Sequence, residues 1–253
     1  MNSKKERFKP SLFFYFMVSL YLKRGGRWSF FVSLLLLLLA ISCNKSSKKN
    51  QQSPVEQSKA IVGNVEIGKS LFSNCIACHG QKAEGNKKLN SPALANLEDW
   101  YLYRQLLNFK NGSRGDASKD TLGFQMSKFA ILLKDTTEVA DVVAYIKTLP
   151  EVTLTPLIEG DIQKGLHYYE TICGSCHGTA GKGNVKMNAP SIKGVDDWYV
   201  KRQIYNFKDS IRGNHPQDKF GAQMVAMMKL LPNNQAINDV IAYINSTAGK
   251  EKK

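Results

Sequence analysis

Cys75-Ile76-Ala77-Cys78-His79 recurs as Cys173-Gly174-Ser175-Cys176-His177, an offset of 98 residues. The same offset carries Pro92 onto Pro190, Asp99-Trp100-Tyr101 onto Asp197-Trp198-Tyr199, and Asn108-Phe109-Lys110 onto Asn206-Phe207-Lys208. It continues through Arg114-Gly115 and Arg212-Gly213, through Gln125-Met126 and Gln223-Met224, to Ala144-Tyr145-Ile146 and Ala242-Tyr243-Ile244. From 75 to 146 no gap is needed, and 30 of 72 positions are identical. The repeat is roughly 90 residues long, too long for a solenoid unit and the size of a small independent fold.

Each copy reads as helical. Val139, Val142, Val143 and Ile146 follow the i, i+3, i+4, i+7 spacing of a helix with one apolar face, and Ile237, Val240, Ile241 and Ile244 repeat it. Asp135 and Asn233 stand where N-caps belong. A second helix is expected after Asp99 and after Asp197. A third leads into each cysteine motif and carries Gly68 and Phe72 in one copy, Gly165 and Tyr169 in the other. No alternating strand pattern of useful length appears. The expected fold is all-α, with domains at 61–149 and 157–249, each of three to four helices. The linker 150–156 (PEVTLTP) is short enough to hold them close together.

The formal charge of +14 over 253 residues would suit a nucleic-acid binder, but its location does not. Residues 1–42 carry seven Lys/Arg and one acid, 43–60 four Lys and one Glu, and the tail 250–253 three Lys and one Glu. The two copies are nearly balanced, 11 basic against 9 acidic residues over 61–149 and 10 against 9 over 150–249. No basic stripe interleaved with aromatics is present in them, so nucleic acid is not an expected partner.

Lys23, Arg24 and Arg27 precede the apolar run 28–41 (WSFFVSLLLLLLAI), the order of an export signal and too short to span a bilayer as a stable helix. Met17 is a second candidate start. The run closes on Ala40-Ile41-Ser42-Cys43, which resembles a bacterial lipoprotein boundary and implies acylation of Cys43, although Ala40 stands where Leu is more usual. Residues 43–60 lack the apolar content to order themselves and are expected to form a flexible tether. Signal and tether together imply an extracytoplasmic, periplasmic protein, lipid-anchored to a membrane.

Three chemistries use paired cysteines outside the cytoplasm. A redox CxxC belongs in a βαβ context that this chain lacks. Structural zinc needs four ligands, usually within one unit, and 61–149 offers only Cys75, Cys78 and His79. C-x-x-C-H is the attachment signature of c-type haem, in which two thiols bond the porphyrin and the adjoining imidazole ligates the iron. Two copies inside helical units behind an export signal point to two covalently bound haem c groups at Cys75, Cys78, Cys173 and Cys176, with His79 and His177 as proximal ligands.

On these residues the chain resembles class I cytochromes c, and its two-copy form is similar to the diheme, cytochrome c-four-type electron carriers. The resemblance covers about 61–248. It implies that Gly68, Phe72 and Tyr145, like Gly165, Tyr169 and Tyr243, form a helix crossing beside the attachment site. It implies too that the carbonyls of Pro92 and Pro190 steady the proximal imidazoles. The distal ligand of this family is a methionine from a loop before the last helix. Met126, the only methionine in 44–149, lies there, and Met224 is its partner. Met227 aligns with Phe129 and is expected to pack against the haem, as an alternative to Met224 alongside Met228. Phe72, Trp100, Phe109, Leu132 and their counterparts, including Trp198, are expected to bury the ring. Arg104, Arg114, Arg202 and Arg212 are candidates for the haem propionates, Arg114 and Arg212 above all.

Iron ligated by His and Met has no open position, so one-electron transfer is the expected task and the chain is not expected to be an enzyme or to take a small-molecule substrate. The expected partners are redox proteins: a quinol-oxidising complex or dehydrogenase on one side, a terminal oxidase or reductase on the other. The rival readings are a fixed electron-entry subunit of a larger respiratory complex and a diheme peroxidase with one displaceable ligand.

Overall fold

Residues 61–248 are described by a computed structural model. The segments expected to be an export signal (1–42), a tether with Cys43 (43–60) and a basic tail (250–253) lie outside the described residues. Among those described, the regular structure is helical and only isolated β-bridges, Asn86 with Ser91 and Asn184 with Ala189, occur. No described helix is long and apolar enough to cross a membrane.

In the first copy α1 (Val65–Phe72) is started by Asn64, whose side chain accepts from the Ile67 amide. It crosses α5 (Thr136–Ile146), capped by Asp135, whose carboxylate accepts from the amides of Thr137 and Glu138. The apolar face read from the sequence is the buried one: Val139 and Val143 are fully buried, Val142 and Ile146 almost so. At the crossing the Asn64 amide donates to Asp141 Oδ1 at 2.6 Å, and the Phe72 and Tyr145 rings meet at 5.4 Å. Gly68 sits against the Asp141 carbonyl, so the two backbones touch where a side chain would stand.

The second copy repeats this with α6 (Ile162–Tyr168) and α10 (Asn234–Ala248). Asp161 N donates to Asp239 Oδ1 at 2.8 Å, Tyr169 meets Tyr243 at 5.1 Å, and Asn233 accepts from the Ala236 amide. The copies differ by one residue between this aromatic and the first cysteine. In the first, Ser73, Asn74 and Cys75 each bond three residues back and so tighten the turn. In the second the extra residue widens it into a π-turn, Tyr169–Cys173, with the Gly174 amide reaching the Tyr169 carbonyl. Both routes deliver the cysteine motif to the same place, on α2 (Ile76–His79) and α7 (Gly174–His177).

The helices expected after Asp99 and Asp197 are α3 (Asp99–Lys110) and α8 (Asp197–Lys208). The segments holding Met126 and Met224 were expected to be loops. They are ten-residue helices, α4 (Thr121–Ala130) and α9 (Lys219–Met228). Their starts are capped by Asp120 on the Gly123 amide and Asp218 on the Gly221 amide, each at 2.8 Å. Leu122, Met126 and Phe129 then fall on one face at i, i+4, i+7. Asp120→Ala is expected to remove about 1 kcal/mol by loss of the cap, read as a lower chemical-denaturation midpoint; an unchanged midpoint would show the cap contributes nothing.

The two copies belong to one compact unit, and their contact is reciprocal. Glu98 accepts from the Ser191 amide and Asp196 from the Ala93 amide, both at 2.7 Å. Arg104 donates to the Asn188 side chain and carbonyl, and Arg202 does the same to Asn90. Every partner maps onto its counterpart at the offset of 98, so the copies face each other about an internal pseudo-two-fold axis, as subunits do across an isologous interface. Asn96 ties the linker to this contact: its side chain donates to the carbonyls of Val152 and Gly194 and accepts from the Val152 amide.

Candidate haem sites

Each copy encloses one cavity that brings together its two cysteines, its motif histidine, its motif proline and its repeated methionine. Cys75, Cys78, His79, Pro92 and Met126 line the first; Cys173, Cys176, His177, Pro190 and Met224 line the second. The four thiols are free.

The histidines are buried, 5% and 6% exposed, and their Nδ1 atoms lie 2.9 Å from the Pro92 carbonyl and 2.8 Å from the Pro190 carbonyl. A carbonyl only accepts, so Nδ1 carries the proton and Nε2 keeps a lone pair for a metal. Burial lowers both histidine pKa values, outweighing the Pro92 and Pro190 bonds, and so favours the neutral imidazole a ligand must be. Burial, with the neighbouring Cys78, pushes the Cys75 thiol up to about 11, and burial with Cys176 pushes Cys173 up to about 12. These are the opposite of the depressed values that make a dithiol a redox catalyst. Nor do the described residues gather three or more His, Cys, Asp or Glu in a metal-binding cluster. Two unpaired thiols, one imidazole nitrogen and at least one thioether on each largely apolar cavity fit a covalently attached haem.

The walls differ from expectation in several places. Leu132 is 57% exposed, whereas its neighbour Leu133 is 7% exposed and packs in the core, a one-residue shift in register at the end of α4. Phe109 and Phe207 do line the cavities, but Phe72 is spent on the helix crossing. Trp100 and Trp198 are not among the lining residues. They stack under Arg104 and Arg202 at 4.7 and 5.1 Å instead, and the residues that reach the cavities are the adjacent Tyr101 and Tyr199, each lining both.

Arg114 and Arg212 are buried at 7% exposure rather than solvated. Arg114 donates to Gln105 Oε1 (2.8 Å), Gln203 Oε1 (3.0 Å) and the Tyr199 hydroxyl (3.0 Å). Arg212 donates to Gln203 Oε1 (2.8 Å), Gln105 Oε1 (2.7 Å) and the Tyr101 hydroxyl (3.1 Å). The lattice therefore crosses between the copies and separates the two cavities. All its acceptors are neutral, and the Nε–H of each arginine is buried without a partner. Burial alone would raise the Tyr101 pKa, yet Arg212, Arg114 and Arg104 together bring it down, which marks a strongly positive field. Two buried cations with an unused donor each form an anion-binding set suited to carboxylates.

Sequence reasoning missed Tyr101, Gln105, Tyr199 and Gln203. Their identity between the copies was visible, but the polar face of a helix meeting another polar face looks like one meeting water.

The cytochrome c family profile matches residues 65–150 and 162–248. A thiosulfate dehydrogenase electron acceptor from Thiomonas intermedia (strain K12) is 31% identical over 157 residues, covering 57% of this chain and 67% of that protein. A cbb3-type cytochrome c oxidase subunit, FixPc, from Rhizobium leguminosarum bv. viciae is 33% identical over 132 residues; the match spans 49% of this chain and only 43% of that protein. Among solved structures, the reduced recombinant cytochrome c4 from Pseudomonas stutzeri superposes with a TM-score of 0.56 at 24% identity, over 72% of this chain and 98% of that one. With both halves matched by the profile and both halves carrying the attachment motif, the chain belongs to the cytochrome c family, as a tandem of two domains each with a covalently bound haem c.

Proposed function

We propose that this diheme electron carrier is tethered to a membrane on its extracytoplasmic side, taking electrons from a quinol-oxidising complex or a dehydrogenase and passing them singly to a terminal oxidase or reductase. The observation that carries the reading is that each cavity presents both an imidazole nitrogen and a thioether. The four cysteines would hold the haems, with His79 and Met126 on the first iron and His177 and Met224 on the second. A haem so held supplies a reversible one-electron change with no coordination position left for oxygen or peroxide.

The chain's own residues do the rest. The Pro92 and Pro190 carbonyls hold the imidazole protons at Nδ1. The apolar walls exclude water. The unused donors of Arg114 and Arg212 hold haem carboxylates at the interface, where the two sites approach each other. The apolar run 28–41, Cys43 and the lysine-bearing tether support the membrane placement.

In a redox titration followed by optical and paramagnetic-resonance spectra, the expected result is two haem equivalents, two one-electron steps and low-spin iron throughout. Carbon monoxide binding to one reduced iron would overturn the saturated-ligand reading and favour a peroxidase. The likeness to an oxidase subunit favours a second reading, a fixed electron-entry subunit; stoichiometric partners after mild solubilisation would establish it in place of a mobile carrier.

A further inference from the structure

Resting on the assignment of Met126 and Met224 as axial ligands, we propose that Met227 is a reserve axial ligand that only the second domain possesses. Met224 and Met227 both line the second cavity, one helical turn apart on α9. Residues at i and i+3 are neighbours on a helix surface, with a rise of about 4.5 Å between them. A thioether on three rotatable bonds can span such a step. Both side chains are half-buried and packed against the core of their domain; Met187 and Met228 line the same cavity, but Met187 stands on a separate segment at 50% exposure and Met228, 4% exposed, belongs to the core itself. Met227 also stands in the last turn of α9, where its carbonyl accepts from the Lys229 and Leu230 amides and where helices adjust most readily.

The first domain has no such provision. Phe129 occupies the position of Met227 and is 45% exposed, and Ala130 occupies that of Met228. Loss of Met126 therefore leaves no methionine in the first cavity, while loss of Met224 leaves Met227 a turn away. In the exchange the iron–sulfur bond to Met224 breaks as one to Met227 forms. Neutral thioether replaces neutral thioether, so neither proton nor electron moves.

The test compares holoproteins of M126A, M224A and M224A/M227L, each confirmed to hold two haem equivalents by pyridine haemochrome. Two signals report thioether ligation: the sulfur-to-iron charge-transfer absorption of the ferric state and the ring-current-shifted methionine methyl resonances of the ferrous state. M126A is expected to lose half the absorption and one methyl resonance. M224A is expected to keep the full absorption with one methyl resonance displaced, and M224A/M227L to lose half. If M224A loses half by itself, Met227 is not a reserve ligand although the primary assignment stands. If M126A changes neither signal, the primary assignment is wrong and the proposal falls with it. Should M224A fail to accumulate, the isosteric M224L is read by the same two signals: retention of the full absorption supports the proposal, and loss of half overturns it.

Discussion

Gly68→Ala is expected to destabilise the first domain by about 3 kcal/mol or more, at or beyond the upper end of overpacking penalties. A Cβ on Gly68 would stand 1.9 Å from the Asp141 carbonyl oxygen, 2.5 Å from the carbonyl carbon and 3.0 Å from the Tyr145 Cβ. The two nearest obstacles are backbone in α5, which cannot rotate away as a side chain would. Relief means separating α1 from α5, and that separation also strains the Asn64–Asp141 hydrogen bond and the Phe72–Tyr145 contact. Helix propensity pulls the other way, favouring Ala over Gly by up to about 1 kcal/mol, and is outweighed. Gly165→Ala should do the same to the second domain, where the Asp239 carbonyl oxygen lies 1.9 Å from the added carbon. Gly112→Ala is the control: nothing lies within 4 Å, so only its φ of +77° counts, roughly 1–2 kcal/mol. Chemical denaturation of the three holoproteins separates these cases. A Gly68→Ala midpoint no lower than that of Gly112→Ala would show that the helices do not cross as closely as described.

That crossing was expected from the resemblance to class I cytochromes c, on residues that both copies carry: a glycine and an aromatic four apart, twice. The terminal helices were legible from the residues themselves, since Val139 to Ile146 and Ile237 to Ile244 report their buried faces by spacing alone. Other features depend on partners distant in the chain. Gly123 and Gly221 lower the helix propensity of α4 and α9, and what restores each helix is the carboxylate three residues earlier, accepting from the glycine's own amide. Leu132 and Leu133 are adjacent and chemically identical, so only the turn that ends α4 decides which faces inward. The change of offset from 97 at Tyr169 to 98 at Cys173 announced an inserted residue, but not that a widened helical turn would absorb it. The interface was least legible. Gln105 looks solvated in one copy, and joins Arg114 in a buried lattice only when the second copy presents the same residues in reverse.

Arg212→Met, expected to have the second-largest effect, distinguishes a lattice built for its own sake from one built around anions. The guanidinium makes three hydrogen bonds, to Gln203, Gln105 and Tyr101, and hydrogen bonds to charged groups contribute about 1.5–3 kcal/mol each. Against this, a buried cation carries a desolvation penalty of several kcal/mol, and an apolar side chain of similar volume escapes it. Arg114 would still donate to both glutamine oxygens, so those acceptors are not orphaned. With only neutral partners the two effects nearly cancel, and Arg212→Met should be close to neutral in stability. With a haem carboxylate on the unused Nε–H, the substitution strands a buried anion and should cost about 3 kcal/mol or more. Removing a positive charge beside the ring also favours the ferric state, so the midpoint potential of one haem should fall, by about 60 mV for each tenfold change in relative affinity for the two oxidation states. Arg212→Lys keeps the charge and loses the planar fork. It should therefore recover most of the potential but less of the stability. Denaturation and redox titration of the same preparations read the two effects separately. If Arg212→Met leaves both the stability and the two potentials unchanged, no anion sits at this interface, and the buried arginines serve only to lock one domain against the other.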